Sequence, residues 1–418
     1  MKFIIIFLSI TICSAHHSSV SLKQHFWKQN VASRKRFVRE IPVNDTSQYN
    51  SGLSTLHQHY GVFLYGIIEI GQPSQAMCVV FDLVTDLTWI VSTQCHTPQC
   101  SNRRRYDPTK STTFMSTTEL WHSGKYASGR LAIDAINFSN YTHPTQVLGL
   151  ADEIFEGFTD LPFDGFFSLA MPNPGQPLTP LENVMRFSDE KVFTIWVSQG
   201  YMENNEGLIS FGHLGSSHCH HDWRFIQIFQ NASRNHFWSL PLFEVTFGSN
   251  NFKMNGSAHL DSVSLFLLVP KGQLIAIVGE IKAVYDDLLK VYVVDCGKKS
   301  TLPNLEFKFS EQNETYSIKP ESYVIDAKEN EGRCILAIND HSLGEDVWIL
   351  GNAFLQSYCT SYDLERLRVG LATPVITSEN SSAQQLCPYF LCTLIANILI
   401  VIRELRYFPT NLFVNLLD

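Results

Sequence analysis

Short apolar runs separated by turn residues fill most of the chain between about residues 60 and 373. Runs of this length, rich in β-branched and aromatic residues, are typical of strands, so the pattern predicts a mostly β protein. The run at residues 79–90 contains a carboxylate, Asp82, where the predicted strand ends. An isolated aspartate there is most often a turn residue that bonds its own backbone, because a buried carboxylate is costly without partners.

A second segment of the same form argues against the turn interpretation. Residues 259–268 repeat the order aspartate, any residue, valine, hydroxyl and apolar run, with Asp261 in the place of Asp82. Two such segments in one chain indicate an internally duplicated fold that brings the two carboxylates together. Adjacent carboxyl groups cannot both ionise easily, so the pKa of one rises while that of the other falls. Such a pair can share one proton and act as base and acid on a water molecule.

Several further segments follow in the order of one known family, namely residues 65–75, 163–170, 348–352, 362–363 and 368–372. With the two aspartate loops, they make the chain resemble the pepsin family (A1) of aspartic proteases from about Tyr65 to about Thr373. The resemblance implies a bilobal, pepsin-like acid protease fold in which two related, β-barrel-like lobes flank a cleft. We expect these lobes at residues 59–188 and 189–374.

The resemblance also implies roles for residues around the two carboxylates. Asp82 and Asp261 are the expected catalytic pair. Thr85 and Ser264 stand where the family has hydroxyls that bond the outer carboxylate oxygens. Ser262 stands where a hydroxyl braces the two loops against each other.

A flap that covers the substrate is expected from the same resemblance. Trp89 matches the family's tryptophan beside the flap, and Gly124 lies in the segment that aligns with the flap tip. His122 aligns with the family's flap tyrosine, and Trp121 takes that place if the register slips by one residue. We expect these four residues to contact substrate.

Glycines that the family carries in the active-site loops are replaced in this chain. Asp-Leu-Val at residues 82–84 and Asp-Ser-Val at residues 261–263 stand where the family has Asp-Thr-Gly or Asp-Ser-Gly. Glycine lets backbone amides approach closely, and overpacking by a larger side chain typically costs about 1–3 kcal/mol. Leu83 also removes one bracing hydroxyl. Ser168 replaces a glycine that supports the first loop, whereas Gly351 keeps its counterpart.

Two functions agree with these residues. The first is a secreted aspartic-type endopeptidase that hydrolyses peptide bonds at acidic pH through the Asp dyad and an activated water. The alternative is a catalytically inactive homologue that binds peptides or proteins in its cleft, which the valines at 84 and 263 and the altered flap favour. Neither function implies a cofactor.

The N-terminal residues indicate export and processing. An apolar run follows Lys2 and ends at small residues, which predicts a signal peptide at residues 1–15, with a buried strand as the alternative. Residues 16–58 form a basic, pro-segment-like leader: residues 16–60 carry six basic and two acidic residues, whereas residues 61–418 carry 24 basic and 38 acidic residues. Such a leader could lie across an acidic cleft, or remain solvated.

Composition narrows the remaining classes of partner. With 418 residues, 44% of them hydrophobic, the chain can form a large core in at least two domains. The acidic body argues against nucleic acid as a partner. We therefore expect a secreted or lumenal monomer, extracellular or endolysosomal, that binds a peptide or protein substrate and its own basic leader.

Seven glycosylation sequons agree with an exported protein. They begin at Asn44, Asn137, Asn140, Asn231, Asn255, Asn313 and Asn380. Nine cysteines remain once Cys13 is removed with the signal peptide, and the family resemblance pairs Cys95 with Cys100 and Cys296 with Cys334. Cys78 and Cys359 lie in apolar runs, where we expect buried thiols, with a bond between them as the alternative. The pairing of Cys219, Cys387 and Cys392 stays open.

Two further segments contain residue types that occur in metal sites or in membrane spans. Metal-ligating residue types crowd into one loop at His213, His218, Cys219, His220, His221 and Asp222. Zinc sites usually draw ligands from two separated pairs, so a solvated loop is favoured and no metal is expected. The hydrophobic tail at residues 375–418 contains an apolar stretch at 386–402 of the minimum length for a membrane span. A peripheral tail is favoured over an anchor because Pro388 and Asn397 interrupt that stretch.

Overall fold

The computed structural model describes residues 52–375, apart from residues 60–62, 102, 124–125, 140, 156–157, 159–162, 174–175, 200–205, 216, 230–236, 288–289, 312–313 and 327–331. The predicted signal peptide, most of the predicted leader and the tail from residue 376 therefore lie outside the described residues. So do Gly124, Cys387, Cys392 and the sequons at Asn44, Asn140, Asn231, Asn313 and Asn380.

Strands dominate the described chain, as the short apolar runs predict. The first half contains β1 (Gly52–His59), β2 (Phe63–Ile70), β3 (Gln75–Asp82), β4 (Trp89–Val91), β5 (Met115–Ser123), β6 (Ala127–Phe138), β7 (Tyr141–Ile154), β8 (Gly165–Ser168), β9 (Val192–Val197) and β10 (Glu206–Phe211). The second half contains β11 (Arg224–Gln227), β12 (Ser239–Phe247), β13 (Asn250–Leu260), β14 (Leu267–Pro270), β15 (Val284–Asp286), β16 (Val291–Asp295), β17 (Leu305–Lys308), β18 (Tyr316–Ile318), β19 (Val324–Ile325), β20 (Arg333–Leu336), β21 (Ile338–His341), β22 (Val347–Leu350), β23 (Cys359–Asp363) and β24 (Arg368–Ala372).

Helices are short and few among the described residues. They are α1 (Pro180–Phe187), α2 (Lys271–Ile281), α3 (Pro320–Tyr323) and α4 (Asn352–Leu355), with 3₁₀ turns at Pro98–Cys100, Pro108–Lys110 and Cys296–Thr301. The start of α1 is fixed by a capping box, in which Thr179 and Glu182 each accept a hydrogen bond from the other's backbone N–H. In the part of the chain that the structure describes, no helix is both long and apolar enough to cross a membrane.

The largest sheet joins both ends of the described chain. Its thirteen strands run in the order β11-β24-β23-β9-β10-β1-β2-β3-β8-β4-β7-β6-β5. The first described strand, β1, pairs with β10 and β2, while the last two strands pair with each other and with β9 and β11. Strands from the start, middle and end of the chain therefore share one hydrogen-bonded network.

Two smaller sheets belong to the second half of the chain. A seven-stranded sheet has the order β18-β17-β12-β13-β22-β14-β21, and a four-stranded sheet has the order β15-β16-β20-β19. The seven-stranded sheet contributes Trp348, Phe307 and Leu350 to the core, all fully enclosed. Burial of such large apolar side chains is the main term that holds the lobe together.

The two aspartate loops occupy equivalent places in the two halves. Asp82 ends β3, which runs parallel to β8, and its carbonyl accepts a hydrogen bond from Leu169 N at 2.8 Å. Asp261 follows β13, which runs parallel to β22, and its N–H donates to the Leu350 carbonyl at 3.1 Å. The repeated arrangement confirms the predicted mostly β, bilobal fold with two related halves.

Three disulfides join described cysteines. Cys95 bonds Cys100 and Cys296 bonds Cys334, the two pairs that the family resemblance implied. The third bond joins Cys219 to Cys359, so the expectation that Cys359 is a buried thiol, or bonds Cys78, was wrong. Cys78 is itself disulfide-bonded rather than a free thiol. A burial pattern identifies a cysteine as enclosed, but it cannot show which distant loop brings a second sulfur to it.

Candidate active site

Asp82 lies buried at the end of β3 with a full set of donors. The Val84 N–H donates to Oδ1 at 2.8 Å, and the Thr85 N–H donates to Oδ2 at 3.2 Å. The Thr85 hydroxyl also donates to Oδ2, as the resemblance implied. These donors stabilise the ionised form of a side chain that is only 2% exposed.

Asp261 has a poorer set of donors. The N–H groups of Val263 and Ser264 both donate to Oδ1, at 2.8 and 3.1 Å. The Ser264 hydroxyl donates to the Phe266 carbonyl at 2.9 Å, whereas the family resemblance implied a bond to the carboxylate. The backbone carbonyl is a nearby acceptor on the same loop, so it accepts the hydrogen bond that the carboxylate would otherwise receive from this hydroxyl.

The two carboxyl groups differ in pKa as well as in donors. Burial raises the pKa of Asp82, and the hydrogen bonds from Thr85 and Val84 oppose that rise. Burial and then the charge of Asp82 raise the pKa of Asp261 to about 7. Because the two groups repel each other when ionised, we assign the retained proton to Asp261 and the negative charge to Asp82.

One hydroxyl braces the two loops across the cleft. Ser262 Oγ accepts a hydrogen bond from Leu83 N at 3.0 Å and donates to the Phe81 carbonyl at 2.9 Å. Leu83, at the equivalent position of the first loop, has no hydroxyl that could make the reciprocal hydrogen bonds to the second loop. Its side chain is buried in the main core instead. The brace is therefore one-sided.

The valines that replace the family's glycines leave the backbone of the site intact. Val84 and Val263 supply the 2.8 Å N–H donors to their own aspartates. Neither has a positive φ, so neither position requires the conformational freedom of glycine. Their side chains are half-buried. The substitution thus changes the shape and polarity of the surface beside the carboxylates more than the geometry of the carboxylates themselves.

Ser168 and Gly351 make the supports of the two loops unequal. A Cβ on Gly351 would lie 2.4 Å from the carbonyl oxygens of Ser264 and Phe266, so this position demands glycine. Ser168 is fully buried, and its N–H donates to Thr88 Oγ1 at 3.0 Å. Among the described residues its hydroxyl has no hydrogen-bond partner.

The flap is the hairpin of β5 and β6, and Trp121 points into the protein. Trp121 is 8% exposed, lies 5.6 Å from the ring of Trp89 and donates from Nε1 to the Leu150 carbonyl at 3.3 Å. Gly149 makes room for it, since a Cβ there would lie 2.5 Å from the indole. Trp121 and Trp89 therefore share one aromatic cluster.

His122 does not take the inward position that the alignment gave it. It is exposed on β5, and its ring lies 5.4 Å from Phe155. Alternation along a strand places neighbouring side chains on opposite faces, so the inward Trp121 requires an outward His122. The other expected flap residue, Gly124, lies outside the described residues.

Tyr126 is a site residue that the sequence interpretation missed. Its N–H donates to the Ser123 carbonyl at 2.9 Å, which closes the hairpin turn, and its ring lies 5.2 Å from Phe166. Burial raises the pKa of its phenol, and the charges of Asp82 and Asp261 raise it further. The only sequence signal was an aromatic residue directly after a glycine-containing turn.

In the histidine-rich loop, Cys219 is bonded to Cys359 in a disulfide. Within the described ranges, the one group of three ligand atoms close enough for a metal is Cys296, Asp326 and Cys334, and its two sulfurs form a disulfide.

Of the sequon residues, Asn255 is exposed, whereas Asn137 is half-buried in β6.

The fold and the unequal, coupled carboxyl pair together define a protein of the aspartic protease class. The chain belongs to the eukaryotic aspartyl protease family, whose family model matches residues 63–374. This membership supports a protease function at the level of the family.

Known proteases are similar to the chain over most of its length. Aspartic protease 1 of Caenorhabditis elegans is 27% identical over 401 residues, which cover 90% of this chain and 99% of that protein. Pepsin A of Rhinolophus ferrumequinum is 25% identical, covering 84% of this chain and 92% of the relative. Human gastricsin is 28% identical, covering 74% and 81%.

Proposed function

We propose that this protein is an endopeptidase that hydrolyses peptide bonds at acidic pH through Asp82 and Asp261. The observation that carries the proposal is the asymmetry of the pair. Asp82 receives three donors, including one hydroxyl, whereas Asp261 receives two N–H donors on one oxygen and has its pKa raised to about 7. One carboxylate and one carboxylic acid side by side are the base and acid that the reaction needs.

The proposed reaction begins with a water between the two carboxyl groups. Asp82 accepts a proton from this water as its oxygen attacks the scissile carbonyl carbon. Asp261 donates its proton to the carbonyl oxygen, which gives a neutral tetrahedral intermediate. As the C–N bond breaks, Asp82 passes its proton to the leaving amine, and a hydroxyl of the intermediate returns a proton to Asp261. Every proton moved is then accounted for within the pair and the water.

The test is a cleavage assay on a denatured protein substrate across roughly pH 2.5–7. We expect the full chain to cleave in the acidic part of this range and Asp82→Asn to be inactive. The double variant Val84→Gly/Val263→Gly measures how far the valine side chains restrict the reaction. Absence of cleavage by both wild type and double variant, in protein shown to be folded, would contradict the proposal.

The second candidate is a cleft that binds peptides without cutting them. The observation that favours it is the presence of two β-branched side chains, Val84 and Val263, beside the carboxylates. A misplacement of a reacting group by about 1 Å can cost on the order of a hundredfold in rate. Binding of a statine-containing peptide without turnover of a cleavable one would select this candidate.

We also propose export of the protein and shielding of its cleft by the basic leader. The apolar N-terminal run, the leader's excess of basic residues and three disulfides between described cysteines support export to an oxidising compartment. Expression of the full chain in secretory cells tests it. We expect the protein in the medium or in a lumenal compartment, and retention in the cytosol would contradict the proposal.

A further inference from the structure

The closing turn of the flap hairpin places an aromatic side chain against a hydrophobic cluster whose residues come from both halves of the chain. Tyr126 packs against this cluster, which we call the interlobe cluster because its buried members include Trp89 and Phe166 as well as Leu265, Phe266 and Ile349. Val263, beside the second carboxylate, packs against the same cluster. Tyr126 and Val263 of the second active-site loop therefore pack against one apolar cluster.

Two backbone hydrogen bonds hold Tyr126 in this position. Its N–H donates to the Ser123 carbonyl, and its carbonyl accepts from Phe155 N, both at 2.9 Å. The ring lies 5.2 Å from that of Phe166. Phe166 lies on β8, which pairs with β3, the strand that ends in Asp82. The backbone of Tyr126 is thus held by two hydrogen bonds, and its ring lies beside β8, the strand that pairs with β3.

We propose that Tyr126 is the flap side chain that faces the Asp82–Asp261 pair in this protein and positions the substrate over it. The proposal rests on the proposed cleft function and assigns that function a positioning residue. The competing residue is His122, which lies exposed on the outer face of β5. Tyr126 follows the turn whereas His122 precedes it, so the aromatic group reaches the cleft from the opposite strand of the hairpin.

The electrostatics of the phenol agree with this position. The charges of Asp82 and Asp261 both act on Tyr126, and with burial they raise the pKa of its hydroxyl. The charge of Asp86 also acts on Asp82 and raises its pKa. A neutral phenol remains a hydrogen-bond donor throughout the acidic range. It can donate to a substrate carbonyl, and its ring can cover the apolar side chain beside that carbonyl.

The first experiment compares Tyr126→Ala, Tyr126→Phe and the matched control His122→Ala in the full chain. It uses the cleavage assay at its optimum pH and the dissociation constant of a statine-containing peptide. We expect Tyr126→Ala to lower kcat/KM, or to weaken peptide binding, by about tenfold or more, and His122→Ala to change either by less than about twofold. Tyr126→Phe retains the ring, so we expect KM close to wild type and a lower kcat.

A larger effect from His122→Ala than from Tyr126→Ala would overturn the assignment. So would an unchanged kcat/KM and dissociation constant in Tyr126→Ala. If the wild type neither cleaves nor binds, the proposed function fails, and a second measurement decides the position of Tyr126 on its own.

The second measurement is the melting temperature of the same three variants between about pH 4 and pH 7. A phenol that covers the dyad keeps water from both carboxyl groups, so its removal should reduce the loss of stability that accompanies their ionisation. We expect a shallower fall with pH in Tyr126→Ala than in wild type, and an unchanged fall in His122→Ala. Equal falls in all three proteins would show that Tyr126 does not cover the dyad.

Discussion

At the scale of the residue, two chemically identical side chains acquire different protonation states from their surroundings. Thr85 provides Asp82 with a hydroxyl, while the corresponding hydroxyl of Ser264 is directed to the Phe266 carbonyl. Asp261 therefore bears most of the cost of enclosing two acids together. A carboxyl group whose pKa is raised by folding stabilises the native state only while it is protonated.

Asp261→Asn should make stability less dependent on pH. The contribution of Asp261 is complete below about pH 4, where the unfolded chain is also protonated, and is lost as the pH rises through about 7. We expect the variant to raise the free energy of unfolding at pH 7 by on the order of 1–3 kcal/mol, with little change near pH 4. Urea unfolding at both values measures it, with the exposed Asp287→Asn as control. A gain of equal size at both values would contradict the assignment of the proton.

Ser262→Ala should destabilise the protein through the brace. It would leave Leu83 N and the Phe81 carbonyl buried without their partner, which typically costs about 1–3 kcal/mol. Ser128→Ala is the matched control, because its hydroxyl donates to Glu153 at an exposed site and should matter by less than about 0.5 kcal/mol. Thermal unfolding compares them, and similar losses would show that the brace contributes nothing of its own.

At the scale of the element, the sequence allowed the strands and the dyad to be predicted better than their companions. Apolar periodicity and the repeated aspartate segment are local signals, and both loops form where they were expected. The inward side of the flap depended on strand register, which a one-residue slip reverses, so His122 and Trp121 could not be separated in advance. Tyr126 lies in the site because of a turn, and Cys359 is bonded to a cysteine 140 residues away in the sequence. No local sequence pattern predicts either arrangement.

The Cys219–Cys359 bond should stabilise the fold more than the Cys95–Cys100 bond. It links residues 140 apart, whereas the shorter one links residues 5 apart. In the chain-entropy model, loops of these sizes correspond to about 5 and about 2 kcal/mol. We expect Cys219→Ser/Cys359→Ser to lose about 3 kcal/mol more than Cys95→Ser/Cys100→Ser in chemical unfolding. Equal losses would mean that the unfolded chain is already compact around the long loop.

At the scale of the whole molecule, the proposed leader is basic and the rest of the chain is acidic. Residues 16–60 carry six basic and two acidic residues, and the remainder after residue 60 has 24 basic and 38 acidic residues. Attraction between them weakens when carboxylates are protonated, so release of the leader is expected in acid. Where the leader can be cut is limited by β1, because residues 52–57 pair with β10 and residues 57–59 pair with β2.

Acid processing of the full chain should therefore produce an N-terminus before Gly52. A cut within β1 would remove the strand that joins β10 to β2 in the largest sheet. Incubation at about pH 3–4 followed by mass spectrometry of the N-terminal peptide measures the position. Asp82→Asn distinguishes self-cleavage, which it should abolish, from cleavage by a contaminant. A mature N-terminus inside β1 or beyond it would contradict the prediction.

The mixed origin of the thirteen-stranded sheet has a consequence for biosynthesis. β9 is made when barely half of the chain has left the ribosome, yet its neighbour β23 lies near the end of the described chain. Until residues 359–372 emerge, the nascent chain exposes the edge of β9, a template on which another chain can add a strand. Translation speed and chaperone binding over that interval should therefore determine the yield of correctly folded protein.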